Sequence, residues 1–186
     1  MRRLRYRRRR AFIESYGFPS ALRKKLREEL DGGHRADVAL EGLRAWYLAC
    51  LEAPGQILGM PSRAVDVAWH EMILMTRIYH EFCRRAFGYY LHHSPEAVME
   101  EPMREGLART LSMVEANSLT VAGVPLLFAV DQELGLEDGQ VWASEDIESL
   151  RQHDLHRSAG YYYAGGGSCA AVSGCSTAGS GCGGGG

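Results

Sequence analysis

The chain has 186 residues, 46% of them hydrophobic, and a net charge of −2 at neutral pH. That is room for one packed domain with extensions, and no apolar run approaches the roughly 20 residues that a helix needs to cross a bilayer. The small net charge hides an asymmetry: seven of the first ten residues are Arg, which leaves residues 11–186 with 14 basic and 23 acidic side chains.

Residues 1–11 read as a basic, disordered leader, too like-charged to pack. Such an arm could meet a nucleic acid through phosphate neutralisation, but Arg runs carry no base-reading geometry, and a solvated extension explains them as well. The Arg cluster is followed by AFIESYGFPS rather than an apolar stretch, so no secretory signal is read there. Five cysteines are an odd number, and with no export signal read, reduced thiols in the cytoplasm are the expectation rather than a disulfide framework.

A helical domain is expected over 12–150. Residues 11–31 read as a first helix, with Ser20 as its cap, Leu22, Leu26 and Leu30 on its apolar face, and Asp31-Gly32-Gly33 as its end. A second runs from about Asp37 to Glu52, closed by Ala53-Pro54-Gly55. The third is the densest part of the chain, SRAVDVAWHEMILMTRIYHEFCRRAFGYYLHHSP at 62–95, read as one long helix capped by Ser62 and stopped before Pro95. Val65, Trp69, Met72, Thr76, Tyr79, Cys83, Ala86 and Tyr90 recur at steps of four and three, as on one helical stripe. Asp66, His70, Ile73, Arg77, His80, Arg84, Phe87 and Leu91 form a second, and burial of both is expected. Glu96–Asn117 reads as a further amphipathic helix interrupted near Pro102, and Val121–Leu136 as a short buried one begun by Pro125. Order is expected to fade over 137–158, where Trp142 is the one large anchor. Residues 151–186 read as a flexible Gly/Ser/Cys-rich tail, with little to bury after Tyr161-Tyr162-Tyr163. The fold class is therefore all-α, a bundle-like domain of about five helices with a disordered tail.

The central stretch also holds the candidate chemistry. His70, Cys83, His92 and His93 are transition-metal ligand types, with Asp66 and Glu71 as oxygen donors. Spacing works against a site on one straight helix, because at about 100° per residue His70 and Cys83 lie roughly 140° apart around the axis. His92 or His93 would have to fold back after Gly88, or ligands would have to come from another helix. The competing reading is structural. Asp66 orients His70, Cys83 packs as a small hydrophobe, and His92-His93 sit at a helix C-terminus. Cys83 activated by His80 is a third arrangement. No catalytic residues are assigned, since no phosphate loop, dinucleotide fingerprint or HExxH is present. Cys169, Cys175 and Cys182 lack CxxC spacing, although as exposed thiols they could bind soft metals or be modified.

The block MPSRAVDVAWHEMILMTRIYHEFCRRAFGYYLHHSP resembles the signature of the glycine-rich domain-containing protein-like family, through Trp69, His70, Tyr79, Phe82, Cys83, Phe87, Gly88, His92, His93 and Pro95. VPLLFAVDQELGLEDG is similar to its downstream block, and the Gly/Cys-rich tail to the ending of bacterial members. The resemblance implies a helical domain with a disordered tail and no enzymatic activity. With no catalytic motif and a tail that has too little to bury, the protein reads as a non-enzymatic interaction or tethering module that holds an unknown protein partner through its tail. The alternative is a metal-binding protein or metalloenzyme with His70, His92, His93 and Cys83 as ligands of a transition metal.

Overall fold

The fold follows from a helix that is apolar on nearly every side. In a computed structural model of the chain, which describes residues 2–93, 103–115, 120–121 and 123–153, helix α3 spans Gly33–Glu52. It buries Ala36, Ala39, Leu40, Gly42, Leu43, Trp46, Tyr47, Ala49 and Cys50. A helix with so little polar surface has to be surrounded. Around it lie α1 (Arg2–Glu14), α2 (Ser20–Glu29), α4 (Arg63–Leu74), α6 (Met103–Glu115) and α7 (Leu126–Leu134), and α5 (Thr76–Ala86) packs against α1 and α4. A two-stranded antiparallel hairpin, Thr120–Val121 with Val124–Pro125, leads into α7, and a helix over 144–153 (α8) ends the described chain. The chain is mostly helical, as expected, and these elements belong to one compact unit, Met1–Asp154. Among the described residues no helix is long and apolar enough to cross a membrane.

Two close approaches set the helix spacing. A Cβ on Gly42 would come within 2.5 Å of Val65 Cγ2 and 2.9 Å of Val130 Cγ2, so α3, α4 and α7 cross at a residue with no side chain. Likewise Gly59, in the loop before α4, meets α6 backbone to backbone: a Cβ there would lie 2.7 Å from Leu107 N, and one on Gly106 would lie 2.8 Å from Gly59 N. Thr110 Oγ1, one turn along α6, can reach the Gly59 and Gly106 carbonyls, at 2.8 and 2.9 Å.

Several elements differ from the sequence expectation. Residues 2–11, expected as a disordered leader, are the greater part of α1. Arg is a strong helix former, and this helix is anchored: Tyr6 hydrogen-bonds the Glu52 carboxylate, and Arg10 pairs with Glu14 at 2.8 Å and Glu52 at 3.2 Å. Its far end is held by Phe12 and Ile13, and by Arg44, which donates to the Ile13 and Tyr16 carbonyls at 2.6 and 3.1 Å. The first helix expected over 11–31 is instead the end of α1, a loop and α2, with Pro19 rather than Ser20 at the cap of α2. Residues 137–158, where order was expected to fade, include α8, seated by Ile147 and Leu150. Trp142 donates to the Pro61 carbonyl at 2.8 Å. The Glu96–Asn117 helix is described from Met103 on. The flexible tail expected over 151–186 lies outside the described residues from 154 onward, while 151–153 close α8.

The long central helix is also two. It breaks at Met75, between α4 and α5, and the chain leaves helix altogether after Phe87. The break has a purpose visible in the packing. Trp69 Nε1 donates to Tyr79 Oη at 3.0 Å, whereas in one straight helix residues ten apart would be separated by about 15 Å along the axis. The first stripe is buried nearly throughout, from Val65, Trp69 and Met72 to Tyr79, Cys83 and Ala86. The second is not: His70, Arg77, His80 and Arg84 are exposed, and within it Phe87 alone is fully buried.

Two buried polar groups yield opposite expectations for stability. Asp131, 1% exposed on α7, accepts from Ser62 Oγ (2.6 Å), Arg63 N (2.7 Å), Ala64 N (3.0 Å) and Gln140 N (2.8 Å). Hydrogen bonds to a charged acceptor contribute about 1.5–3 kcal/mol each. Asp131→Ala should therefore cost roughly 3 kcal/mol or more in urea denaturation, with Asp131→Asn, which keeps one acceptor oxygen, falling between. Tyr47 Oη, by contrast, is buried with no hydrogen-bond partner among the described residues, and burial pushes its hydroxyl well above the ordinary range. Tyr47→Phe should leave thermal stability unchanged or raise it by up to about 1 kcal/mol. A clear loss would mean that the hydroxyl has a partner.

Candidate functional site

The site is built on the exposed side of α4. Ser62 caps that helix, accepting from Val65 N at 3.2 Å, and Asp131 takes the N–H groups of Arg63 and Ala64. Both act on the orphan donors of a helix N-terminus, where negative charge is favoured. One and two turns further along, Asp66 and His70 share a face. His70 Nδ1 lies 2.9 Å from the Asp66 backbone carbonyl and 3.3 Å from Asp66 Oδ2. A carbonyl oxygen only accepts, so this contact orients the ring through Nδ1–H, the way outer-shell partners orient metal-binding histidines.

The third member arrives by a turn. After Phe87 the chain passes through Gly88 at φ +81°, a conformation that favours glycine. Tyr79 Oη donates to the Leu91 carbonyl at 2.6 Å while accepting from Trp69, so both central helices hold this returning strand of chain. Two residues later, His93 Nε2 stands 3.1 Å from Asp66 Oδ1, and its ring lies 4.2 Å from that of His70 and 4.7 Å from Trp69. The chain therefore folds back after Gly88, one of the two routes by which a metal site on these residues could form. Asp66, His70 and His93 each offer one donor atom, all within 4.8 Å of one another, and among the described residues this is the group of His, Cys, Asp or Glu that so converges.

The other residues singled out from sequence stand outside this group of donors. His92 lines the same cleft as the three but is exposed, its ring 4.8 Å from Tyr90. Cys83 is fully buried beside Tyr79 and the Leu91 backbone, and desolvation raises its thiol pKa. His80 is exposed on α5, so the Cys83–His80 pairing joins a raised thiol to a surface imidazole. Burial also raises Cys50, more strongly, with Cys83 nearby adding to it. Asp131 is not among the residues singled out from sequence; it directly follows the apolar run VPLLFAV.

Asp66, His70 and His93 are among the residues that line a cleft of about 760 Å³. The rest of its wall includes Trp46, Trp69, Tyr89, Tyr90, Ile57 and Leu91, with His92, Arg63 and Gln140 also on it. Arg63 pairs with Asp138. A mainly apolar concavity of this size with a few converging polar groups is the usual form of a small-molecule site.

The chain matches the model of the UCP032817-like family over residues 8–166, and it belongs to that family. This corrects the resemblance to the glycine-rich domain-containing protein-like family. The residues that suggested it include Trp69, Tyr79, Phe82, Cys83 and Phe87, which are buried packing positions, and such residues do not separate one helical family from another. No curated protein and no solved structure matches the chain.

The thiols provide a check on this geometry. Cys50 and Cys83, both free and buried with raised pKa values, carry little thiolate at pH 8, and the thiolate is the reactive form. In native protein treated with iodoacetamide at that pH, peptide mapping should find both unmodified. Both should become modified in denaturant.

Proposed function

We propose that this member of the UCP032817-like family is a metal-binding protein, with Asp66, His70 and His93 holding one divalent transition-metal ion at the side of the cleft. The observation that carries the reading is the convergence of three donor atoms within 4.8 Å, brought from α4 and from the chain returning after α5. Two imidazoles and one carboxylate suit zinc or ferrous iron. Metal–ligand bonds of about 2.0–2.2 Å require the donors to close in slightly, which rotation of the half-exposed His70 side chain supplies.

Three protein ligands leave coordination positions open, as in sites where the ion acts on a bound molecule rather than stapling a fold. All three ligands also belong to the lining of the cleft, which is where a bound molecule would meet the ion. Cys83 and His92, also candidates from sequence, are not among the ligands of this proposal. Cys83 supports the site by packing against the Leu91 backbone. The free, buried Cys50 and Cys83 thiols fit a reducing cytoplasmic compartment. A tethering role for residues 161–186 rests on their composition, and those residues lie outside the described ones.

The test is elemental analysis and zinc titration of the full chain, beside His93→Ala and Asp66→Ala. One equivalent of metal is expected. Each substitution should weaken binding by more than the roughly 10–100-fold typical of losing an outer-shell partner, with the circular dichroism unchanged. Full stoichiometry in both variants would assign the metal to other residues, the tail cysteines among them, and end this reading.

A further inference from the structure

The character of the cleft wall and the charge of the site together specify a class of ligand. Resting on the metal reading above, we infer that the cleft takes a small monocarboxylic acid with an apolar, ring-sized body, its carboxylate completing the coordination of the ion.

The charge argument comes first. A divalent cation held by one carboxylate and two neutral imidazoles keeps a net charge of +1, and the ion is the largest local charge in such a site. Asp66 is the single acidic side chain among the residues that line the cleft, and the proposed ion occupies it. Arg63, the lining guanidinium, is matched by Asp138. The unmatched charge therefore sits on the ion, and a single anionic oxygen group neutralises it. A dianion would leave a surplus negative charge against an apolar wall, where an unpaired charge is costly.

The body of the ligand follows from the remaining wall. Trp46 and Trp69 meet at 5.3 Å between ring centroids, with their planes at 55°. Tyr90 packs edge-on to Tyr79, with centroids at 5.2 Å and planes at 89°. One member of each pair is fixed by a hydrogen bond: Trp69 donates to Tyr79, and Tyr79 donates to the Leu91 carbonyl. Rings fixed in this way form a preorganised apolar surface, which lowers the ordering cost of binding. Ile57 and Tyr89, also cleft-lining, are exposed at 39% and 44%, so a bound apolar group would cover surface now in contact with water. A volume near 760 Å³ accommodates a phenyl or indole ring with a short side arm.

The experiment uses the full-length protein loaded with zinc, its stoichiometry measured before each titration. The probes are 3-phenylpropionate and 3-phenylpropionamide, which share a body and differ in charge, and binding is read by calorimetry. The acid should bind at least about tenfold more tightly than the amide, and that preference should disappear after EDTA treatment. Ile57→Ala should weaken the acid several-fold while leaving the zinc stoichiometry unchanged. Stoichiometric zinc with no binding of the acid, or with equal binding of acid and amide, overturns the ligand class while the metal reading stands. Acid binding that survives EDTA shows the carboxylate held by protein groups and overturns the coordination. Absence of zinc binding removes both readings together.

Discussion

One buried carboxylate determines where the candidate site can stand. Asp131 reaches out of α7 to accept hydrogen bonds from Ser62, from the first two N–H groups of α4 and from Gln140. A helix N-terminus buried with unpaired donors would be strongly unfavourable. Here one side chain satisfies donors on two segments and fixes the start of α4 against α7. Since α4 carries Asp66 and His70, the position of two of the three converging donors is inherited from a residue more than 60 positions away in sequence. The proposed metal site is thus a local cluster on a remotely held platform.

The second dependence runs through aromatic hydroxyl and indole groups. Trp69, Tyr79 and the Leu91 carbonyl form a hydrogen-bonded line from α4 through α5 to the returning chain. It sets the distance between His93 and Asp66, although none of its members belongs to the three-donor group. Positive φ at Gly88 makes the reversal possible. The cleft, the donor group and the core are consequently not separable layers. Trp69 is a core residue, a wall of the cleft and a neighbour of His93 at once.

Much of this was legible in the sequence, and the parts that were not share a cause. The buried stripe through Val65, Trp69, Met72, Tyr79, Cys83 and Ala86 could be read because apolar periodicity reports burial directly. The cap by Ser62 was legible for a similar local reason. The break at Met75 was not, because neither glycine nor proline marks it, and it is the Trp69–Tyr79 contact across the break that distinguishes the two helices. The helical state of residues 2–11 depends on Glu52 and Arg44, which lie on another helix. Within the candidate site, residue types pointed to His70 and His93 but equally to Cys83 and His92. Choosing among them required the return path after Phe87, a tertiary property. Asp131 was not legible because a single acidic residue at the end of an apolar run, followed by Gln132 and Glu133, has no periodicity to announce its burial.

The contact between Gly59 and Gly106 has a consequence for the cleft. Ile57, Leu58 and Met60 flank Gly59, and Met103 stands one turn before Gly106, and all four are part of the cleft wall. The nearest atoms across this seam are backbone, with Leu107 Cγ beside them, so bending a side chain aside would not relieve the contact. A single methyl group added at either glycine would act as a wedge, moving α6 and the loop apart as rigid bodies. The gauge of the cavity is set at a joint that no ligand touches, and related chains could change the size of what they admit without altering a single residue of the cavity lining.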